Sequence, residues 1–348
     1  MSQKVSDDPL FRKNHLTAVR WMLASLVAVG HLWILTEAYE PLTLHGWSAS
    51  YLAVNGFFIL SGLLIAKSLS TRQNIGAYFR SRALRIYPAL VLILLAFAFF
   101  FSPFFSEPGG VSHVTAAETW KFIVRVLLLG NPEGAPGGIF AGNFEQDFNG
   151  PLWTIRYEIA AYILAAAAFY IGAAKSLSRT LSLFCVVQVA YVAAPFVIDL
   201  EQLPAGLLPL MRLSSAFLMG MVLWHWPVLR RPPIWSVVAL SVLFLIFGGT
   251  IAGELIGNLM LTGIIMRIGL SQTASTTLIK LPDYSYGIYI WHYPVMQAIL
   301  FLLPELGPWQ LMLLSVPIFT ICAGLSWHYV EKPFLKLKIR NSAKYVPA

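Results

Sequence analysis

Arg20 and His31 frame an otherwise apolar stretch, Arg20-Trp-Met-Leu-Ala-Ser-Leu-Val-Ala-Val-Gly-His31. Hydrocarbon is a poor place for an imidazole. Ionisable groups at membrane depth face a bundle interior or a water-filled cavity, and they commonly mark a working site. An arginine at the mouth of a helix with a histidine further in suggests anion capture followed by proton transfer. Glu158 lies in a second apolar stretch, seven residues after Pro151. At 1.5 Å per helical residue, His31 falls roughly 8 Å from the outer end of its helix and Glu158 roughly 10 Å in. A carboxylate beside a histidine holds the ring's tautomer and stabilises the imidazolium formed on proton uptake. The alternative is two polar groups that close separate cavities.

Three further groups carry chemistry. Phe79-Arg-Ser-Arg-Ala-Leu-Arg-Ile-Tyr-Pro88 presents Arg80, Arg82 and Arg85 just before an apolar run. Guanidinium forks match phosphate oxygens, so the cluster suits a phosphate-bearing cofactor; topology and lipid headgroups account for it equally well. Asn55 and Ser61 lie among small residues in Asn55-Gly-Phe-Phe-Ile-Leu-Ser-Gly62, where they either line a cavity or serve close helix packing. Ser285, Tyr289 and His292 recur at steps of four and three and share one helical face. That face turns either to a cavity or to another helix by hydrogen bonding. No His, Cys or carboxylate cluster has compact metal-ligand spacing, so no metal is expected.

The elements that position these residues are membrane helices. Of 348 residues, 57% are hydrophobic and 11% charged, against about a quarter charged in soluble domains. The net charge of +8 does not point to nucleic acid, because the basic residues cluster beside apolar runs, where topology explains them. Cys185 and Cys322 lie within apolar runs and imply no disulfide framework. A span needs about 20 apolar residues. Stretches near 17–36, 48–67, 86–105, 151–173, 180–198, 205–224, 233–250, 252–269, 283–302 and 309–330 meet that description. The expected fold is therefore an all-α polytopic bundle of about ten transmembrane helices in the cell (inner) membrane. The first is read as a retained span.

Stretch 118–130, with Glu118, Lys121 and Arg125, reads as amphipathic or re-entrant. Both termini are expected on the cytoplasmic side, since this places nearly all Lys and Arg inside. Loop 106–150, rich in Gly and Pro, then lies outside and leads into Pro151-Leu-Trp153, as befits an acceptor site. Residues 1–348 read as one domain with no appended soluble part.

In order, Arg20-x10-His31, Phe57-Phe-Ile-Leu-Ser-Gly62, Arg82-Ala-Leu-Arg85-Ile-Tyr-Pro88, Pro151-Leu-Trp-Thr-Ile-Arg-Tyr-Glu158, Ser285-Tyr-Gly-Ile-Tyr-Ile-Trp-His292-Tyr-Pro294 and Glu331-Lys-Pro-Phe334 resemble the acyltransferase-3 family of integral-membrane O-acyltransferases. Six motifs in order across nearly the whole chain make the resemblance specific. One departure is that Leu16-Thr-Ala-Val-Arg20 lacks the acidic residue common before the first arginine of the family.

The resemblance implies transfer of an acyl group, usually acetyl, from cytoplasmic acyl-CoA to a hydroxyl of a sugar, exopolysaccharide, O-antigen or related carbohydrate acceptor. It implies catalytic roles for His31 and Glu158, and donor binding by Arg20, Arg80, Arg82 and Arg85. Asn55, Ser61, Ser285, Tyr289 and His292 would then wall the substrate cavity. Polysaccharide-assembly proteins are expected partners. Some relatives carry a C-terminal esterase-like domain, which is not expected here, so transfer would finish within the bundle or on a partner. By physics alone, a proton-coupled transporter or flippase of a glycan or lipid-linked intermediate fits the same polar helices.

Overall fold

The computed structural model describes residues 14–37, 39–41, 43–71, 74–106, 112–271 and 279–342. It is all-helical, with 78% helix and no strand among the described residues. Each of the ten apolar stretches forms a helix. They are α1 (Leu16–Glu37), α2 (Ala49–Thr71), α3 (Ile75–Ala96, continuing to Phe105), α5 (Trp153–Tyr170), α6 (Leu177–Val197), α7 (Leu207–His225), α8 (Ile234–Phe247), α9 (Gly253–Gly269), α10 (Ser285–Leu302) and α11 (Pro308–Leu325). Among the described residues, seven helices are long and apolar enough to cross a membrane: α1, α2, α3 with its continuation, α5, α6, α7 and α11 with its continuation. The other three fall short: α8 and α9 have 14 and 17 residues, and α10 carries His292 and Gln297 within its 18.

Residues 117–129 form α4 (Ala117–Leu129), 13 residues long. That is roughly 20 Å of helix, against about 30 Å of hydrocarbon. It buries Thr119, Phe122, Ile123 and Val126 and exposes Glu118 and Lys121, one apolar stripe at helical spacing. Gly130 ends it at φ 59°, its N–H bonding the Val126 carbonyl, a left-handed cap that favours glycine.

The chain forms two compact units. One comprises the described residues of 1–23, 42–75 and 157–281; the other comprises those of 24–41, 76–156 and 282 onward. In the first unit, α2 and α7 meet backbone to backbone. A Cβ on Gly62 would lie 1.8 Å from the Phe217 carbonyl oxygen, and one on Gly220 2.0 Å from that of Ile59. Only glycine permits that approach.

In the second unit, α10 packs on α11 with Gly287 against Ala323. Pro294, inside α10, has no N–H for the Ile290 carbonyl four residues back. Asn149 supplies the missing donor, its Nδ2 lying 2.8 Å from that oxygen. One turn further on, Gln297 Nε2 donates to the carbonyls of Glu145 (2.6 Å) and Asp147 (3.0 Å). Asn143 Nδ2 donates back to Gln297 Oε1 at 2.8 Å. The loop ahead of α5 is thereby pinned along α10.

Candidate active site

His31 sits on α1 with Nδ1 2.9 Å from the Val27 carbonyl, one turn back. His292 on α10 repeats the arrangement, with Nδ1 2.9 Å from the Ile288 carbonyl. A carbonyl only accepts, so both Nδ1 atoms carry the proton in the neutral rings. The two histidines then meet: His292 Nε2 lies 3.2 Å from His31 Nδ1, positioned to accept a share of the same N–H. This fixes the His31 tautomer and leaves the lone pair on Nε2, with no bond from any described residue. The Tyr293 ring meets His31 edge-on at 5.2 Å and restricts its rotation. His292 is fully buried, whereas His31 keeps part of its surface open.

Neighbouring side chains on α10 bond to nearby groups. Ser285 Oγ donates to Asp283 at 2.6 Å. The Tyr289 hydroxyl donates to the Pro151 carbonyl at 2.8 Å and pairs with the Thr154 hydroxyl at 2.7 Å. Of the shared polar face, His292 alone is joined to His31.

On α3, Arg80 is exposed and Arg82 half-buried, with Arg82 Nε 3.2 Å from Ser81 Oγ. Arg85 is paired: its Nη2 lies 2.9 Å from Asp283 Oδ2, and both side chains are largely buried. Asp283 thus joins Arg85 to the first turn of α10 through Ser285. The loop that precedes α5 walls a pocket of about 240 Å³ from Gly134, Ala135, Gly138, Ile139, Glu145, Gln146 and Asp147. Burial, and secondly the nearby charge of Glu133, push the Asp147 carboxyl above its usual range.

The first unit holds the remaining candidates. Arg20 Nη2 lies 3.5 Å from Thr17 Oγ1. Glu158 accepts a hydrogen bond from the Tyr162 hydroxyl, one turn along α5. Ser61 is half-buried beside the Gly62 contact. Asn55 is fully buried in a polar cluster. Its Oδ1 accepts from Arg212 Nη1 at 3.0 Å, and its Nδ2 lies 3.0 Å from Glu254 Oε1 and 3.1 Å from Asn258 Oδ1.

The structure therefore joins His31 to His292, Arg85 to Asp283 and Asn55 to Arg212. The sequence flagged His292 and Asn55 separately and left Glu254 unassigned. Steps of three and four along α10 mark its polar face, but no local pattern shows which helix answers it. Among the described residues, no group of three or more His, Cys, Asp or Glu side chains could hold a metal ion.

An O-acetyl transferase of Shigella phage Sf6 is 28% identical over 94% of this chain and 97% of its own length. Nodulation protein 10 of Rhizobium leguminosarum bv. viciae is 24% identical over 94% of both chains. The acyltransferase MdmB of Streptomyces mycarofaciens is 26% identical over 92% of this chain and 91% of its own. No solved structure matches. The acyltransferase-3 profile, described as an acyltransferase domain, matches residues 14–327, and the chain belongs to that family of membrane O-acyltransferases.

Proposed function

We propose that the protein transfers an acyl group, acetyl by preference, from acyl-CoA to a hydroxyl of a sugar or exported polysaccharide, with His31 as the general base. The observation that carries this reading is the fixed tautomer of His31. Its Nδ1–H is held by Val27 and His292, so Nε2 is the atom free to take a proton. As the acceptor oxygen attacks the thioester carbonyl, its proton passes to His31 Nε2. The new C–O bond forms, the C–S bond breaks, and the imidazolium returns the proton to the leaving thiolate.

In this reading Arg80 and Arg82 hold the phosphates of coenzyme A at the cytoplasmic face. Arg85, anchored on Asp283, presents its outer N–H groups beside them. Arg20 and Glu158 enter from the sequence as further candidates, Arg20 towards the donor and Glu158 as a carboxylate in the acid–base chemistry. In this reading the bundle crosses the inner membrane about ten times with both termini cytoplasmic, and polysaccharide-assembly proteins receive or deliver the acceptor.

The test uses purified protein in liposomes with labelled acetyl-CoA. Label appearing on a supplied surface glycan supports the reading. A His31→Ala protein that inserts normally and still acylates would overturn the mechanism. Solute movement without modification would favour transport instead. Arg82→Ala should raise the KM for acyl-CoA about tenfold or more, the loss of one charged hydrogen-bond partner; an unchanged KM would remove the phosphate role.

A further inference from the structure

We infer that the first unit contains a subsite for the oxygen atoms of an uncharged sugar, built around Arg212 with Asn55, Glu254 and Gln188; it rests on the reading that the acceptor is a sugar. Arg212 lies six residues into the apolar helix α7 and keeps only 9% of its surface. Its guanidinium stacks 4.0 Å over the Tyr51 ring. A guanidinium has five N–H donors. One bonds Asn55 at 3.0 Å; the other four find no acceptor among the described residues. One turn along the same face of α7, Ser215 donates to Gln188 Oε1 at 2.5 Å. The buried Gln188 Nε2 has no partner among the described residues.

Polar groups left unsatisfied within a bilayer are costly. Both shortfalls here are of acceptors, so a ligand that completes the site must bring oxygens. The charge of that ligand follows from Glu254. Its carboxylate already accepts from Tyr51 at 2.7 Å, Asn55 at 3.0 Å and Asn258 at 3.1 Å. Asn55 thus relays between Arg212 and Glu254, and the pair is neutral overall. An oxyanion would set a second negative charge beside Glu254, whereas hydroxyl and ring oxygens would not. Tyr51, Arg212 and Glu254 all stand within the first turns of α2, α7 and α9. On the topology proposed above, those helix starts lie on the outer side, away from the coenzyme.

The experiment measures thermal unfolding of the full chain in phosphatidylcholine nanodiscs. The probes are methyl glycosides of glucose, galactose and rhamnose, and separately sodium phosphate and coenzyme A. At least one glycoside should stabilise the wild type with saturable dependence. Arg212→Gln should weaken its apparent affinity about tenfold or more, the loss of charged hydrogen bonds. Gln188→Met preserves side-chain length and removes the unpartnered donor together with the acceptor of the Ser215 hydrogen bond. It should fold normally and weaken the same glycoside about threefold to tenfold. Ser215→Ala, which loses that bond alone, is the control and should bind as the wild type does.

A wild-type protein that binds the glycoside and transfers no acyl group to it would sink the catalytic reading and leave this result standing. The inference is overturned if no glycoside stabilises the protein, or if a folded Gln188→Met responds like wild type. It is equally overturned if phosphate or coenzyme A is what binds through Arg212.

Discussion

His31 Nδ1 and His292 Nε2 lie 3.2 Å apart, although 261 residues separate them in the chain. Because Val27 and Ile288 claim the two Nδ1–H groups, the contact has a direction: His31 donates and His292 accepts. If His31 is the base, as proposed, His292 is the positioning residue that sets its tautomer and plane.

That assignment predicts a graded pair of variants. His292→Ala should lower kcat about tenfold to a hundredfold, the cost of a misplaced catalytic group, with KM for acyl-CoA unchanged. His292→Gln, whose amide oxygen can accept the same N–H, should recover most of the loss. Steady-state kinetics on proteins of equal folded yield decide it. Equal defects in both variants would mean that the histidine serves packing alone.

Much of the fold was legible because apolar length is a local property. All ten stretches became helices, and the charges Glu118, Lys121 and Arg125 that set stretch 118–130 apart from the spans fall on the short helix Ala117–Leu129. The partners of polar residues were not legible, since they come from distant helices. Arg85 reads as a free cation until Asp283, 198 residues on, is found beside it. Asn55 offers both packing and cavity readings until Arg212 and Glu254 surround it. Pro294 is the exception: a proline inside α10 announces a carbonyl in need of a donor, though not that Asn149 supplies it.

The Arg85–Asp283 pair can be tested against acyl-CoA affinity. If Asp283 holds Arg85 in place for the donor, Asp283→Asn should raise KM for acyl-CoA in the same direction as Arg85→Ala. The double variant should then be no worse than Arg85→Ala, because residues acting through one contact are non-additive. Fully additive effects would show that the two act separately. Stability should be measured alongside, since removing one partner of a largely buried pair destabilises the fold.

The glycine contact between α2 and α7 makes a sharper structural prediction. A methyl group added at Gly62 or Gly220 would meet a carbonyl oxygen of the facing backbone, not the end of a flexible side chain. Gly62→Ala or Gly220→Ala must therefore push the helices apart, at a cost of at least about 1–3 kcal/mol. Both should lower the unfolding temperature and the folded yield in detergent. Ser61→Ala, one residue away, should do neither if Gly62 alone makes the close approach.

Asp147 gives the pH-dependent case. Its carboxyl is raised above the usual range, first by burial and then by Glu133, so the folded state favours the protonated form. Stability contributed by this group is complete below its ordinary value of about 3.9. It declines as pH rises through that value towards the raised one, and at neutral pH the full penalty stands. Asp147→Asn keeps the shape without the charge and leaves the backbone carbonyl bonded to Gln297. The variant should match the wild type in acid and unfold at a higher temperature at neutral pH, with Glu133→Gln giving a smaller shift of the same sign. Thermal unfolding across a pH series measures the difference directly. A variant that is less stable at neutral pH would show that the Asp147 charge is instead compensated in the folded loop.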